Sequence, residues 1–214
     1  MGWVADLIPY YTCVMKLVMK KRVLIFQTDI NFKYLKEEFN INYRENNVLE
    51  ALKSIRKISE KTKGWDISAV SFHKLLQILY KSKAMNEWGS IVALTYIAAQ
   101  RTFPNYNDMA ENKAYLESIA RSFGYFFGKD YKVRINTISQ SPTLTKAGEG
   151  VKGLEGFLKY SEKMSPLGNA SAEDCAKYTV MMFSDYTKKV SLQNLYHDGG
   201  FSNVGVSQEI IDSI

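Results

Sequence analysis

Gly89–Tyr96 reads GSIVALTY: a glycine, a serine, then Ile91, Val92, Ala93 and Leu94 with no polar residue between them. That is strand length, and a strand without polar alternation is buried on both faces, as strands of a parallel sheet are. Its neighbours on either side carry the same reading. Lys21–Gln27 (KRVLIFQ) is a buried strand behind two basic residues, Lys132–Ser139 (KVRINTIS) is a third, and Ser191–His197 (SLQNLYH) is a fourth, closed by the turn signal Asp198-Gly199-Gly200. Helical spacing lies between them. A short helix interrupted by Pro9 is expected over 1–20, and further helices over 31–39 and 46–61. The next is Asp66–Lys83 with Ile67, Val70, Leu75, Leu76 and Leu79 on one face, then a long one from Tyr106 to Phe127, ended by Gly128. Leu154–Met164 and Ala172–Ser184 complete the set, the latter opened by Ser171 with Asp174 three residues on. Alternation of strand and helix predicts an α/β fold with parallel strands and right-handed crossovers.

Composition narrows the class. The chain has 214 residues, 46% hydrophobic and 23% charged, which excludes disordered and fibrous proteins. Cys13 and Cys175 make neither a disulfide framework nor a zinc site, and His73 and His197 lie too far apart to suggest a metal, so none is expected. No apolar run reaches eighteen residues, and Met1–Met19 is broken by Asp6, Pro9 and Lys16, so neither a membrane span nor a signal peptide is expected. A reducing cytoplasm is the simplest compartment.

Charge and glycine are uneven. Residues 1–63 hold 12 basic against 7 acidic residues, and 64–214 hold 16 against 15. Of the 13 glycines only Gly2 precedes residue 64. Two compositions suggest two segments: 1–63, a basic α/β stretch, and 64–214. The basic stretch admits an interaction module for nucleic acid or membrane. Its lysines are scattered among acids, which favours a solvated helix face, and no nucleic-acid or membrane partner is expected.

Chemistry concentrates after the strand Ser90–Tyr96. Tyr106 and Lys113 are seven apart on the expected helix, nearly two turns and roughly 10 Å along its axis, so they share a face. An ammonium beside a phenol lowers its pKa, and it can also hold a ribose hydroxyl. Tyr96 at a strand end would enter the same crevice, outside the carboxyl ends of the strands, where open α/β sheets bind ligands. Taken alone, the pair reads first as a packed tyrosine and a surface lysine.

The wording around the pair is more specific. GSIVALTY, RTFPNYNDMAENKAYLES, VRINTISQSPTLT and HDGGF, in unbroken order, resemble the bacterial NADH-dependent enoyl-[acyl-carrier-protein] reductases. These are a divergent branch of the short-chain dehydrogenase/reductases. The resemblance runs over about 64–208. It implies the C-terminal half of a Rossmann-like doubly wound parallel sheet, and reduction of a trans-2-enoyl thioester on acyl carrier protein by NADH in fatty acid biosynthesis. It also implies a homo-oligomer, a dimer of dimers paired through the helices Asp66–Lys83 and Tyr106–Phe127, on which Phe72, Phe123, Tyr125, Phe126 and Phe127 supply apolar surface. Ordinary ketoreductases of the superfamily place tyrosine four residues before the lysine; here that position is Met109. The enoyl-reductase spacing is seven, with a second tyrosine ten residues earlier, and Tyr106, Lys113 and Tyr96 match it. By resemblance Tyr106 binds the thioester oxygen, Lys113 holds the nicotinamide ribose, and Tyr96 lines the acyl pocket with Met109. Pro142, Thr143 and Thr145 match the segment that contacts nicotinamide and pyrophosphate. Val151, Leu154 and Phe157 match the substrate-binding stretch.

Before residue 64 the resemblance fails. The family's first strand is followed by a glycine-rich turn that lets backbone N–H groups close on the pyrophosphate. Val23–Phe26 is followed by Gln27-Thr28-Asp29-Ile30-Asn31, without glycine. A βαβ unit takes about 30 residues, so 63 cannot hold four strands with their helices. The N-terminal half is therefore expected to be divergent or truncated, through gene truncation, a frame error, recombination or real divergence. The alternative to an active reductase is a non-catalytic reductase-like fragment that binds no NADH.

Overall fold

The computed structural model describes residues 23–26, 63–104, 106–143 and 153–214. The helices expected over 1–20, 31–39 and 46–61 lie outside these residues, as do Thr145 and Val151.

Among the described residues four strands form one parallel sheet in the order of the chain: β1 (Val23–Phe26), β2 (Ser90–Thr95), β3 (Arg134–Gln140) and β4 (Asn194–His197). The register pairs Val23 with Ser90, Ile91 with Ile135 and Ile138 with Leu195. β2 and β3 are buried almost throughout, which is why their sequences do not alternate.

The strands are joined by helices. Lys63–Trp65 (α1) runs through a π turn, Asp66–Val70, into Ser71–Lys81 (α2). Asn107–Tyr131 (α3) links β2 to β3. Leu154–Met164 (α4), Ala172–Met182 (α5) and the short Gln208–Ile211 (α6) follow. The main core lies where α2 and α3 meet the sheet, with Phe72, Leu75, Leu76, Phe127 and Ile135 fully buried. A second cluster, Val92, Ile138 and Met182, packs α5 on the sheet. The N-terminus of α5 carries the expected capping box: Asp174 N–H donates to Ser171 Oγ and Ser171 N–H donates to the Asp174 carboxylate. Cys175 is buried, and burial pushes its thiol up to about 11, as suits a core residue. No helix among the described residues is long and apolar enough to cross a membrane.

Two expectations need correction. α3 does not end at Gly128. It continues to Tyr131, whose ring packs against Phe127 and Tyr80, and the left-handed closing position falls to Lys132 at φ 54°. Phe72 and Phe127 are core residues, not surface for a partner. Tyr125 and Phe126 are exposed as expected, and Trp65 of α1 and Tyr115 of α3 are exposed with them.

Candidate active site

The carboxyl ends of β2, β3 and β4 converge on one edge, and each delivers side chains to it. Tyr96 follows β2 in an extended conformation, before a tight 3₁₀ turn, Ile97–Ala99. Its ring meets Tyr106 edge to face with centroids 5.6 Å apart, Phe103 at 5.7 Å and Phe157 of α4 at 6.2 Å. Phe103 and Phe157 in turn pack against Phe201, beyond the turn that closes β4. The result is an aromatic wall shared by three chain segments, with Met164 and Ile97 buried behind it.

Tyr106 is not on the helix proper. It is the residue that opens α3, with φ −125° and ψ 17°, and its carbonyl accepts the first helical bond from Ala110. That half-turned backbone sets its ring against Tyr96. The Tyr96 hydroxyl is buried and has no hydrogen-bond partner among the described residues. Burial pushes the Tyr96 phenol up, with Tyr106 and Asp198 adding to the effect, and burial also pushes Tyr106 up. The expected lowering by a lysine ammonium is not what governs this site: desolvation does. Both phenols are protonated donors at neutral pH.

Lys113, partly buried on α3, donates from Nζ to the Leu94 carbonyl at 3.0 Å. One turn further, Glu117 is almost wholly buried. Its Oε1 accepts from Thr95 Oγ1 at 2.8 Å and Asn194 Nδ2 at 3.2 Å, and its Oε2 accepts from Gln100 Nε2 at 3.1 Å. Sequence reasoning missed Glu117. An acid four residues after Lys113, between the apolar Leu116 and Ala120, was the available signal.

Pro142 is buried and Thr143 donates its hydroxyl to the Ser141 carbonyl at 3.0 Å. Ser141 is itself pinned, its N–H to the His197 carbonyl and its Oγ accepting from the Ala170 N–H at 2.9 Å. Near the end of β3, Ser139 Oγ is buried without a partner among the described residues. Leu154 opens α4 and is partly buried, like Met109 in the first turn of α3. Tyr96, Tyr106 and Phe157 are thus in ring contact around one wall. Lys113 reaches from α3 to the Leu94 carbonyl of β2, and Pro142 and Thr143 lie on the next segment of the same edge.

The Asp198-Gly199-Gly200 turn locks the wall from below. Asp198 accepts from the Gly200 and Ser202 N–H groups, and Leu167 N–H donates to the Gly199 carbonyl. Gly199 has φ +64°, and a Cβ there would lie 1.9 Å from the Gly168 carbonyl oxygen.

Comparison with known proteins agrees with this fold. A family model described as Enoyl-(Acyl carrier protein) reductase matches residues 53–202. The NADH-dependent enoyl-[acyl-carrier-protein] reductase FabI of Bacillus subtilis is 31% identical over 134 residues, 62% of this chain and 52% of that protein. The NADPH-dependent FabI of Staphylococcus aureus is 34% identical over 134 residues, with the same shares. The crystal structure of a FabI–NADH complex from Alistipes finegoldii superposes with a TM-score of 0.68 at 49% identity, covering 87% of this chain and 61% of that one. The chain thus spans about half the length of these curated relatives. With the family's model matched across most of its length, on an α/β, Rossmann-like sheet, the chain belongs to the enoyl-(acyl carrier protein) reductase family.

Proposed function

We propose that this chain carries the substrate-reducing part of an enoyl-[acyl-carrier-protein] reductase, which saturates a trans-2-enoyl thioester in fatty acid biosynthesis with NADH. The observation that supports this most is the contact between Tyr96 and Tyr106, two phenols kept protonated by burial, at the carboxyl edge of a parallel sheet.

The chemistry requires a hydrogen-bond donor where charge develops. Reduction at the β carbon moves negative charge onto the thioester oxygen, and a desolvated phenol aimed there stabilises it. Tyr106 takes that role. Tyr96, Met109, Leu154 and Phe157 line the acyl side and keep water away from the reacting carbon, and Val151, outside the described residues, joins them by resemblance alone. The residues present fit the nicotinamide–ribose half of the cofactor. Ser139 has a buried hydroxyl without a partner among the described residues, at the edge where Pro142 and Thr143 follow, and Lys113 of α3 brings its ammonium to the neighbouring strand at Leu94. Lys113 would hold the ribose, and Pro142, Thr143 and Thr145 would border the nicotinamide and pyrophosphate. NADH, when bound, supplies the hydride.

The acyl carrier protein that delivers the substrate is the partner. A dimer of dimers through the exposed face of Trp65, Tyr115, Tyr125 and Phe126 is the assembly, and the cytoplasm is the compartment. Residues 64–214 act as the reductase-like unit, with 1–63 a basic segment whose strand Val23–Phe26 joins the same sheet. A second reading is favoured by one observation: no glycine follows Val23–Phe26 over Gln27–Asn31. On that reading the chain is a non-catalytic relative without NADH affinity. Titration of NADH fluorescence, followed by NADH consumption with a crotonyl thioester, separates the two. Saturable binding with thioester-dependent oxidation supports the reductase; neither supports the non-catalytic relative.

A further inference from the structure

We infer that Glu117 is a positioning residue, holding the segment that carries Tyr96 in the geometry the site uses; this rests on the reductase reading for its catalytic consequence, though not for its structural one. α3 meets the end of β2 at two successive points. Lys113 donates to the Leu94 carbonyl, and Glu117, one turn on, accepts from the hydroxyl of Thr95. Beyond Tyr96 the same carboxylate takes the amide of Gln100. Tyr96 is therefore bracketed: the residue before it and the turn after it are tied to one side chain. The bracket reaches the neighbouring strands too. Asn194 of β4 donates to Glu117 and accepts from Thr137 of β3, and Tyr196 of β4 donates to Gln100 Oε1 at 2.6 Å.

A carboxylate this buried costs free energy unless its lone pairs are met. Glu117 meets them with three neutral donors, from Thr95, Gln100 and Asn194, and the guanidinium of Arg121 lies 3.9 Å away at the surface. A hydrophobic residue there would fill the space and could tie nothing to Tyr96. The Tyr96 hydroxyl, by contrast, has no hydrogen-bond partner among the described residues, so the ring position depends on the backbone that Glu117 braces and on its aromatic neighbours.

The test uses the full chain with Glu117→Gln, which keeps the shape and replaces one acceptor by a donor. Gln100→Met cuts the same bracket from an exposed position that cannot unfold the core. Turnover of a crotonyl thioester should fall ten- to hundredfold, the scale of a small misplacement of reacting groups. KM for the thioester and the melting midpoint should stay close to the parent's. Parent-like turnover in both variants, or a loss that only follows the unfolded fraction, overturns the inference. Independently of activity, 3-fluorotyrosine labelling with the Tyr96 resonance assigned by Tyr96→Phe reads the ring itself. That resonance should shift in both variants at unchanged stability, and an unmoved resonance overturns the inference. A parent that never oxidises NADH defeats the reductase reading alone, and the fluorine signal still decides the role of Glu117.

Discussion

The rings of Tyr96 and Tyr106 meet edge to face, 5.6 Å between centroids at 75°, although ten residues and a 3₁₀ turn separate them in the chain. Such a contact uses the positive edge of one ring against the negative face of the other. It leaves both hydroxyls in a poorly hydrated place, and that fixes their protonation.

Stability should accordingly fail at alkaline pH. In the folded chain both phenols titrate above their unfolded value, because burial disfavours phenolate. Their contribution is complete below about pH 10, the unfolded value. Above it the unfolded chain binds fewer protons than the folded one. Stability then falls as pH rises, by up to about 1.4 kcal/mol per pH unit for each phenol. Urea midpoints between pH 8 and 11 test this, with Tyr96→Phe/Tyr106→Phe as the reference that removes the other tyrosines' contribution. The slope should be shallower in the double variant, and equal slopes would contradict the assignment.

Gly199→Ala should be costly. The methyl group meets the Gly168 carbonyl at 1.9 Å, and the left-handed backbone adds strain of about 1–2 kcal/mol. Overpacking typically adds about 1–3 kcal/mol. Thermal melting should show a drop of about 5–15 °C for a chain of this size.

The exposed face of Trp65, Tyr125 and Phe126, each about half accessible, is more apolar than a solvated helix pair requires. Sedimentation should give an oligomer at micromolar concentration, and Tyr125→Lys with Phe126→Lys should reduce it. A clean monomer for the parent removes the claim.

Lys113→Met should weaken NADH binding and turnover together, since one ammonium is asked to serve the ribose while it braces the Leu94 carbonyl. The loss of a charged hydrogen bond is worth about 1.5–3 kcal/mol, or roughly ten- to a hundredfold in affinity. Fluorescence titration reads it directly; unchanged affinity would remove Lys113 from the cofactor site.

Much of the fold was legible because its signals are local. An apolar run such as Ile91–Leu94 fits only a strand covered on both faces, and the Ser171–Asp174 spacing names a capping box. The end of α3 was not legible, because Gly128 reads as a stop only when nothing beyond it packs, and Tyr131 packs on Phe127. Aromatic residues on α2 and α3 looked alike in sequence. Which of them face the sheet depends on the phase of the helix, and Phe72 and Phe127 turned inward. In the candidate site, Tyr96, Tyr106 and Lys113 were picked out by the family resemblance around them, since their spacing alone is that of many chance pairs. Glu117 was not, since its partners Thr95, Gln100 and Asn194 lie up to 77 residues away and come together only through the sheet.

The most direct test of the proposed chemistry is single-turnover oxidation of NADH with a crotonyl thioester, comparing the parent with Tyr106→Phe and Tyr96→Phe. One oxyanion donor is worth about 10²–10³ in rate, so Tyr106→Phe should slow the chemical step by that factor while NADH affinity stays close to the parent's. Tyr96→Phe should cost less, since its ring stays in place to line the pocket. A Tyr106→Phe chain as fast as the parent, with Tyr96→Phe inactive, would contradict the account and exchange the two roles.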